Sequence, residues 1–101
     1  MSELWLVYII EASDGSLYTG VTTNMRRRWQ EHSSGRGAKY FRGRSPRWLR
    51  YLEPGHDRSS AGRREAQIKC LTRVQKRALI LSRNNRLQML AGAGGIDDGQ
   101  Y

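Results

Sequence analysis

Apolar and polar positions fall into blocks that change period along the chain. Leu4-Trp5-Leu6-Val7-Tyr8-Ile9-Ile10 is an apolar run of strand length and predicts a buried strand. Ser13-Asp14-Gly15-Ser16 carries turn residues, and Leu17-Tyr18-Thr19-Gly20-Val21-Thr22 predicts the returning strand of a hairpin. The period then changes. Met25, Arg28, Trp29 and His32 follow helical spacing, after Thr23 or Asn24 as a cap, and predict a helix from about Met25 to Ser33. Residues 34–46 are a glycine-rich basic loop. Arg47-Trp48-Leu49-Arg50-Tyr51-Leu52 predicts a third strand, ended by Glu53-Pro54-Gly55. Asp57 or Ser59 can cap a helix from about Ser60 to Leu71. Thr72-Arg73-Val74-Gln75 matches a capping box and opens a third helix to about Ser82.

The order β-β-α-β-α-α predicts an α+β fold, a three-stranded antiparallel sheet flanked by helices. The expected domain covers residues 1–82, and a flexible C-terminal tail covers 83–101. The hairpin turn bears on chemistry. A two-residue Asp14-Gly15 loop sends Tyr8 and Tyr18 to opposite faces. A three-residue loop with Gly15 left-handed puts both phenols on one face, and this is the expected geometry.

Composition narrows the functions. The 101 residues, 38% of them hydrophobic, suffice for one domain with a modest core. No apolar run approaches the roughly 18 residues of a membrane span. No basic segment precedes the first apolar stretch, so no secretory leader is expected. The single cysteine, Cys70, allows no internal disulfide and is expected to be a small buried hydrophobe in a cytoplasmic protein.

Charge changes the picture more. The net charge is +9, and none of the 18 basic residues lies in positions 1–25. Nine lie in positions 26–50, against one acid, Glu31. Such a clustered field predicts contact with nucleic acid. An anionic membrane surface is disfavoured, because no long amphipathic anchor accompanies the charge.

Two charged residues fall on apolar stripes. Arg28 either snorkels, with its stem packed, or holds a guanidinium against phosphate. Glu65 falls on the face of Ala61, Ile68 and Leu71. It is either an ion-pair partner, of Arg28 or Arg64, or the single carboxylate of a Mg²⁺ site.

The ordered set Val7-Tyr8-Ile9, Tyr18-Thr19-Gly20, Asn24-Met25-Arg26-Arg27-Arg28-Trp29-Gln30-Glu31-His32 and Glu65 resembles the GIY-YIG nuclease domain, in particular its small stand-alone bacterial members. Gly35-Arg36-Gly37-Ala38-Lys39 is similar to a loop of those members. The resemblance covers about residues 4–82. It implies the three-stranded fold and metal-dependent endonuclease activity on phosphodiester bonds, in DNA more than RNA, with DNA repair as one setting. By position, Tyr8 and Tyr18 match the motif tyrosines, and Arg28 matches the catalytic arginine. His32 falls where a tyrosine or histidine occurs, and Glu65 matches the ligand of Mg²⁺ or Mn²⁺.

The expected mechanism has Tyr8 take a proton from water, its pKa lowered by Arg28 and the metal. Tyr18 would orient water or phosphate. Arg27, Arg36, Lys39, Tyr40, Arg42 and Arg44 would follow the nucleic acid, with Tyr40 or Phe41 stacking on a base or packing under the loop. Val7 and Thr19 depart mildly from the motif letters. The asparagine many members carry downstream has only Asn84 and Asn85 as candidates, by location. The alternative is a non-catalytic nucleic-acid-binding module of the same fold, and a protein partner could supply targeting.

Overall fold

The computed structural model describes residues 4–87. The hairpin forms as its pattern predicts, with strand β1 at Trp5–Ala12 and β2 at Leu17–Thr22. The turn is the three-residue one. Ala12 N–H donates to Ser16 O at 2.9 Å, Gly15 N–H donates to Ala12 O at 2.9 Å, and Gly15 has φ of 85°. Glycine takes that left-handed conformation without the Cβ clash other residues meet. Tyr8 then pairs with Gly20 and Ile10 with Tyr18, so both phenols lie on one face.

Helix α1 (Met25–Ser33) has the predicted bounds, with the Asn24 side chain accepting from Arg27 N–H at 3.0 Å. A short 3-10 turn, Lys39–Phe41, interrupts the basic loop. Strand β3 spans Pro46–His56 and pairs antiparallel with β1, giving the sheet order β2-β1-β3. It runs past the expected stop at Glu53-Pro54-Gly55. An edge strand tolerates a proline on its outer side, and a register shift between Trp5 and Val7 absorbs the extra residue. A second shift makes Arg50 the extra residue between Leu49 and Tyr51.

Helix α2 (Arg58–Lys69) is capped by Asp57, and α3 (Arg73–Ile80) by the Thr72–Gln75 box. No helix among the described residues is long and apolar enough to cross a membrane.

Period-2 alternation along β1 builds two cores. Tyr8, Ile10 and Ala12 pack with Met25, Trp29, Phe41, Leu49 and Leu52 on the first face, under α1 and the loop. Val7, Ile9 and Tyr51 pack with Ala61 and Ile68 of α2 on the second face, where Leu79 and Ile80 join from α3 and Leu71 from the turn before it. Each such buried aliphatic side chain contributes about 1.5–3 kcal/mol.

Asn85 closes the outer edge of β3. Its Nδ2 donates to Arg50 O and Ile80 O, both at 2.8 Å, and its Oδ1 accepts from Leu52 N–H at 3.2 Å and Leu87 N–H at 3.1 Å. Residues 83–87 are thus tied to the packed body, and Leu87 reaches the first core. Positions 88–101 of the expected tail lie outside the described residues.

Candidate active site

The first face of the sheet carries a cluster of rings. The Tyr8 hydroxyl and His32 Nε2 are 2.7 Å apart, both buried. Tyr18 stands beside them, its ring centroid 6.2 Å from Tyr8 and 5.4 Å from His32. Phe41 closes the inner side at 4.6 Å from His32 and 5.1 Å from Tyr18.

Local sequence makes this packing possible. A Cβ on Gly20 would fall 2.6 Å from Tyr8 Cζ and 3.0 Å from Tyr18 Cε2, so the two rings close over a residue that must lack one. A Cβ on Gly37 would stand 3.0 Å from His32 Cε1 and nearer still to Nδ1. The loop backbone therefore seats the imidazole from behind.

Burial sets the electrostatics. It pushes the Tyr8 phenol well above its ordinary value, against the pull of neighbouring Arg28. Arg28 alone does not give the lowered Tyr8 pKa expected of Arg28 with the metal, because at 1% exposure desolvation outweighs the adjacent guanidinium. Burial, then the Arg28 cation, pushes the His32 imidazole down to about 4. The resting pair is a neutral phenol beside a neutral imidazole. His32 Nδ1 has no hydrogen-bond partner among the described residues.

Arg28 is partly exposed at the rim, where Nη1 donates to Glu31 Oε1 at 2.9 Å. Arg26 and Arg27 point to solvent as the periodicity predicts. Glu65 projects from α2, which covers the opposite face, yet its charge is felt at the Tyr8 hydroxyl and helps raise its pKa. Its ion-pair partner is Lys69, at 3.2 Å, rather than Arg28 or Arg64. Arg64 is instead held by Glu53, its Nε lying 3.2 and 3.1 Å from the two carboxylate oxygens.

That second contact belongs to a polar network which sequence reasoning missed. Glu53 also accepts from the Tyr51 hydroxyl and contacts His56 Nε2 at 2.6 Å, while His56 Nδ1 meets Ser60 Oγ at 2.9 Å. Burial alone would raise the Glu53 carboxyl, but Tyr51, His56 and Arg64 together hold it below its usual range. Only Ala61 and Ile68 of α2 are buried, so apolar contact fixes the rotation of this helix weakly. The ties of Arg64 and Ser60 to β3 supply what the apolar stripe lacks. Local pattern could not show it, because β3 and α2 meet only in the fold.

The basic loop divides. Arg36, Lys39 and Arg42 are exposed. Arg44 lies 4.1 Å over the Tyr40 ring and 3.5 Å from Asp14. The Tyr40 hydroxyl donates to Ser16 Oγ, and its ring stands 5.0 Å from Tyr18. Phe41 is 4% exposed, so it packs under the loop and presents no face to a base. Cys70 is exposed, not buried as expected, because α2 ends at Lys69 and leaves Cys70 at its C-terminal cap.

Glu65 is a single carboxylate, and Mg²⁺ or Mn²⁺ can bind through one or two protein carboxylates with water and phosphate completing the shell. No group of three or more His, Cys, Asp or Glu occurs among the described residues. Any cation held by Glu65 would draw most of its shell from water and substrate, and Lys69 would be its competitor for the carboxylate.

Comparison with known proteins bears on the family and the fold. The family model described as the GIY-YIG catalytic domain matches residues 4–78. A UPF0213 protein of Halobacterium salinarum is 56% identical over 73 residues, covering 72% of this chain and 95% of that protein. The UPF0213 protein YhbQ of Shigella dysenteriae is 41% identical over 87 residues, covering 86% of this chain and 87% of the relative. The solution NMR structure of a UPF0213 protein from Bacillus halodurans is 42% identical with a TM-score of 0.52, over 80% of this chain and 86% of that one.

Proposed function

The chain belongs to the GIY-YIG catalytic-domain family, and from that premise we propose that it is a metal-dependent endonuclease hydrolysing phosphodiester bonds in nucleic acid, DNA in preference to RNA. The observation that carries the reading is the buried contact between Tyr8 and His32, with Arg28 at its rim and the Glu65 charge within reach.

A raised phenol pKa makes a standing phenolate a poor general base. A relay answers this. In the tautomer protonated at Nδ1, the Tyr8 O–H donates to His32 Nε2. As the Tyr8 oxygen takes a proton from the attacking water, its own proton passes to Nε2. The phenol stays neutral and the charge rests on the imidazole. A phosphate anion bound nearby favours the imidazolium and raises the His32 pKa toward the working range. Arg28 would neutralise charge building on the phosphoryl oxygens. Tyr18, ring-packed against both partners, would orient the water or the phosphate. Glu65 would hold Mg²⁺ or Mn²⁺, which would supply further charge to the leaving oxygen. Arg27, Arg36, Lys39 and Arg42 would follow the backbone. Arg44 and Tyr40 would shape the loop's contact with it. A protein partner would supply targeting.

The decisive assay incubates the protein with single-stranded, duplex and branched DNA and with RNA, with either metal. Glu65→Ala, Tyr8→Phe and His32→Gln are run beside it. Cutting that needs metal and is lost in all three variants supports the proposal. Salt-sensitive binding without cutting, unchanged in Glu65→Ala, sinks it. That outcome would favour a non-catalytic nucleic-acid-binding module. One observation supports that second reading: all of the Asn85 side-chain amide is spent on backbone groups, so it is not available to a substrate.

A further inference from the structure

The other half of the positive charge sits on the opposite side of the sheet. Residues 57–87 contain nine basic residues against two acids, Asp57 and Glu65. Seven of the nine lie on α2 and α3, the layer that covers the second face. Only two of these are in ion pairs among the described residues, Arg64 with Glu53 and Lys69 with Glu65. Arg58, Arg63, Arg73, Lys76 and Arg77 have no acidic partner there. All but Lys76 are exposed. The domain therefore carries two basic faces, back to back.

We propose that the α2–α3 face binds a second segment of nucleic acid, so that the domain sits between two segments, one on each face. The proposal rests on the reading of the chain as a nucleic-acid enzyme and names the form of its substrate. Arg73 also ties α3 to the hairpin turn through Gly15 O and Arg63 bonds Ser59, but like charge on neighbouring helices is repulsive, and a bound polyanion would offset it. Most of these cations are arginines, whose planar fork suits phosphate oxygens. The body measures 35 × 29 × 24 Å, so its long axis matches about one turn of duplex. A protein this thin can hold two duplexes close enough for both to be engaged. An anionic membrane is a poorer occupant. It would need a continuous apolar stripe between the cations, and this layer exposes only Val74 and, just past α3, Leu81 as large hydrophobics.

The test is a bridging assay on the full chain in the absence of divalent metal. A duplex of about two turns is immobilised, saturated with protein and washed. A second, fluorescent duplex is then offered. Retention of the second duplex by the wild type is expected. It should fall at least tenfold in a Lys76→Glu/Arg77→Glu variant and by less in Lys76→Gln/Arg77→Gln, with circular dichroism confirming that both fold. Retention equal to wild type in both variants overturns the proposal, since a dimer using its first faces would bridge in that way. Failure of the wild type to retain the second duplex also overturns it. So does capture of phosphatidylserine vesicles without capture of duplex. Cleavage is scored separately with metal added, so loss of the nuclease reading leaves the bridging result readable.

Discussion

Stability should fall steeply as the solution is acidified through the range where free histidine titrates, and His32 should be the cause. Its ring is 1% exposed and its pKa is pushed down from 6.5 to about 4. In the unfolded chain the imidazole binds a proton near its ordinary value. Between the two values the unfolded state holds more protons than the folded state, so stability rises with pH across that window and is lost as pH falls. Going from about pH 7 to pH 5 should cost about 2 kcal/mol, equivalent to about 10 °C in Tm for a domain of this size. The carboxylates held low here, Asp14, Glu31, Glu53 and Asp57, start from ordinary values of 3.8 or 4.5, so the stability they supply is lost mainly at pH values below the pH 7 to 5 comparison. The assay is urea unfolding at both pH values for the wild type and for His32→Gln, which has no group to titrate there. The wild type should lose the stated amount and the variant little. A wild type with the same stability at both pH values, or a variant that tracks it, would refute the claim that burial keeps His32 neutral.

Other outcomes follow from the same geometry. Gly20→Ala should destabilise by about 1–3 kcal/mol, because its methyl meets the Tyr8 ring, and near-ultraviolet circular dichroism should show the tyrosine environment changed. Asn85→Ala should cost about 2–3 kcal/mol by leaving edge groups of β3 unpaired, with faster hydrogen exchange at the Leu52 amide as its local sign. Glu53→Gln weakens the grip on Arg64. Amide exchange along α2 should accelerate, and direct titration should show weaker Mn²⁺ binding, while affinity for duplex in the absence of metal stays at the wild-type level. Replacing Arg36 or Lys39 by alanine should weaken nucleic-acid binding and lower the magnitude of its log-log salt slope by about one.

What could be seen in the sequence was local. The hairpin, the cap of α1 and the Thr72–Gln75 box are each decided within a few residues; all three formed, with Asn24 rather than Thr23 as the cap. The shared face of Tyr8 and Tyr18 was expected, but Gly15 suited either loop length, and the Ala12–Ser16 hydrogen bond decides it. The behaviour of Tyr8 was not legible, since its pKa depends on how α1 and the loop close over it. Glu65 could be placed on an inward stripe, but neither its pairing with Lys69 nor its electrostatic reach to Tyr8 could be read there. Arg64, Glu53, Tyr51 and His56 read separately as ordinary surface or strand residues. Only the meeting of β3 with α2 makes them a unit. The charge told half its story: position along the chain showed a basic loop, while the back-to-back faces needed the layers.

The central position of β1 has a consequence for how the chain folds. β1 gains one neighbour at once, across a three-residue turn, but its other neighbour pairs Tyr8 with Leu52, after a helix and a long loop. During synthesis the hairpin can form while β1 still shows an open edge of Val7, Ile9 and Ile10. That edge stays exposed until β3 has emerged and crossed back, a closure whose entropy is lost before its contacts form. Refolding should therefore be limited by docking of β3 rather than by the hairpin. The interval before it is when two nascent chains are best placed to pair with each other instead.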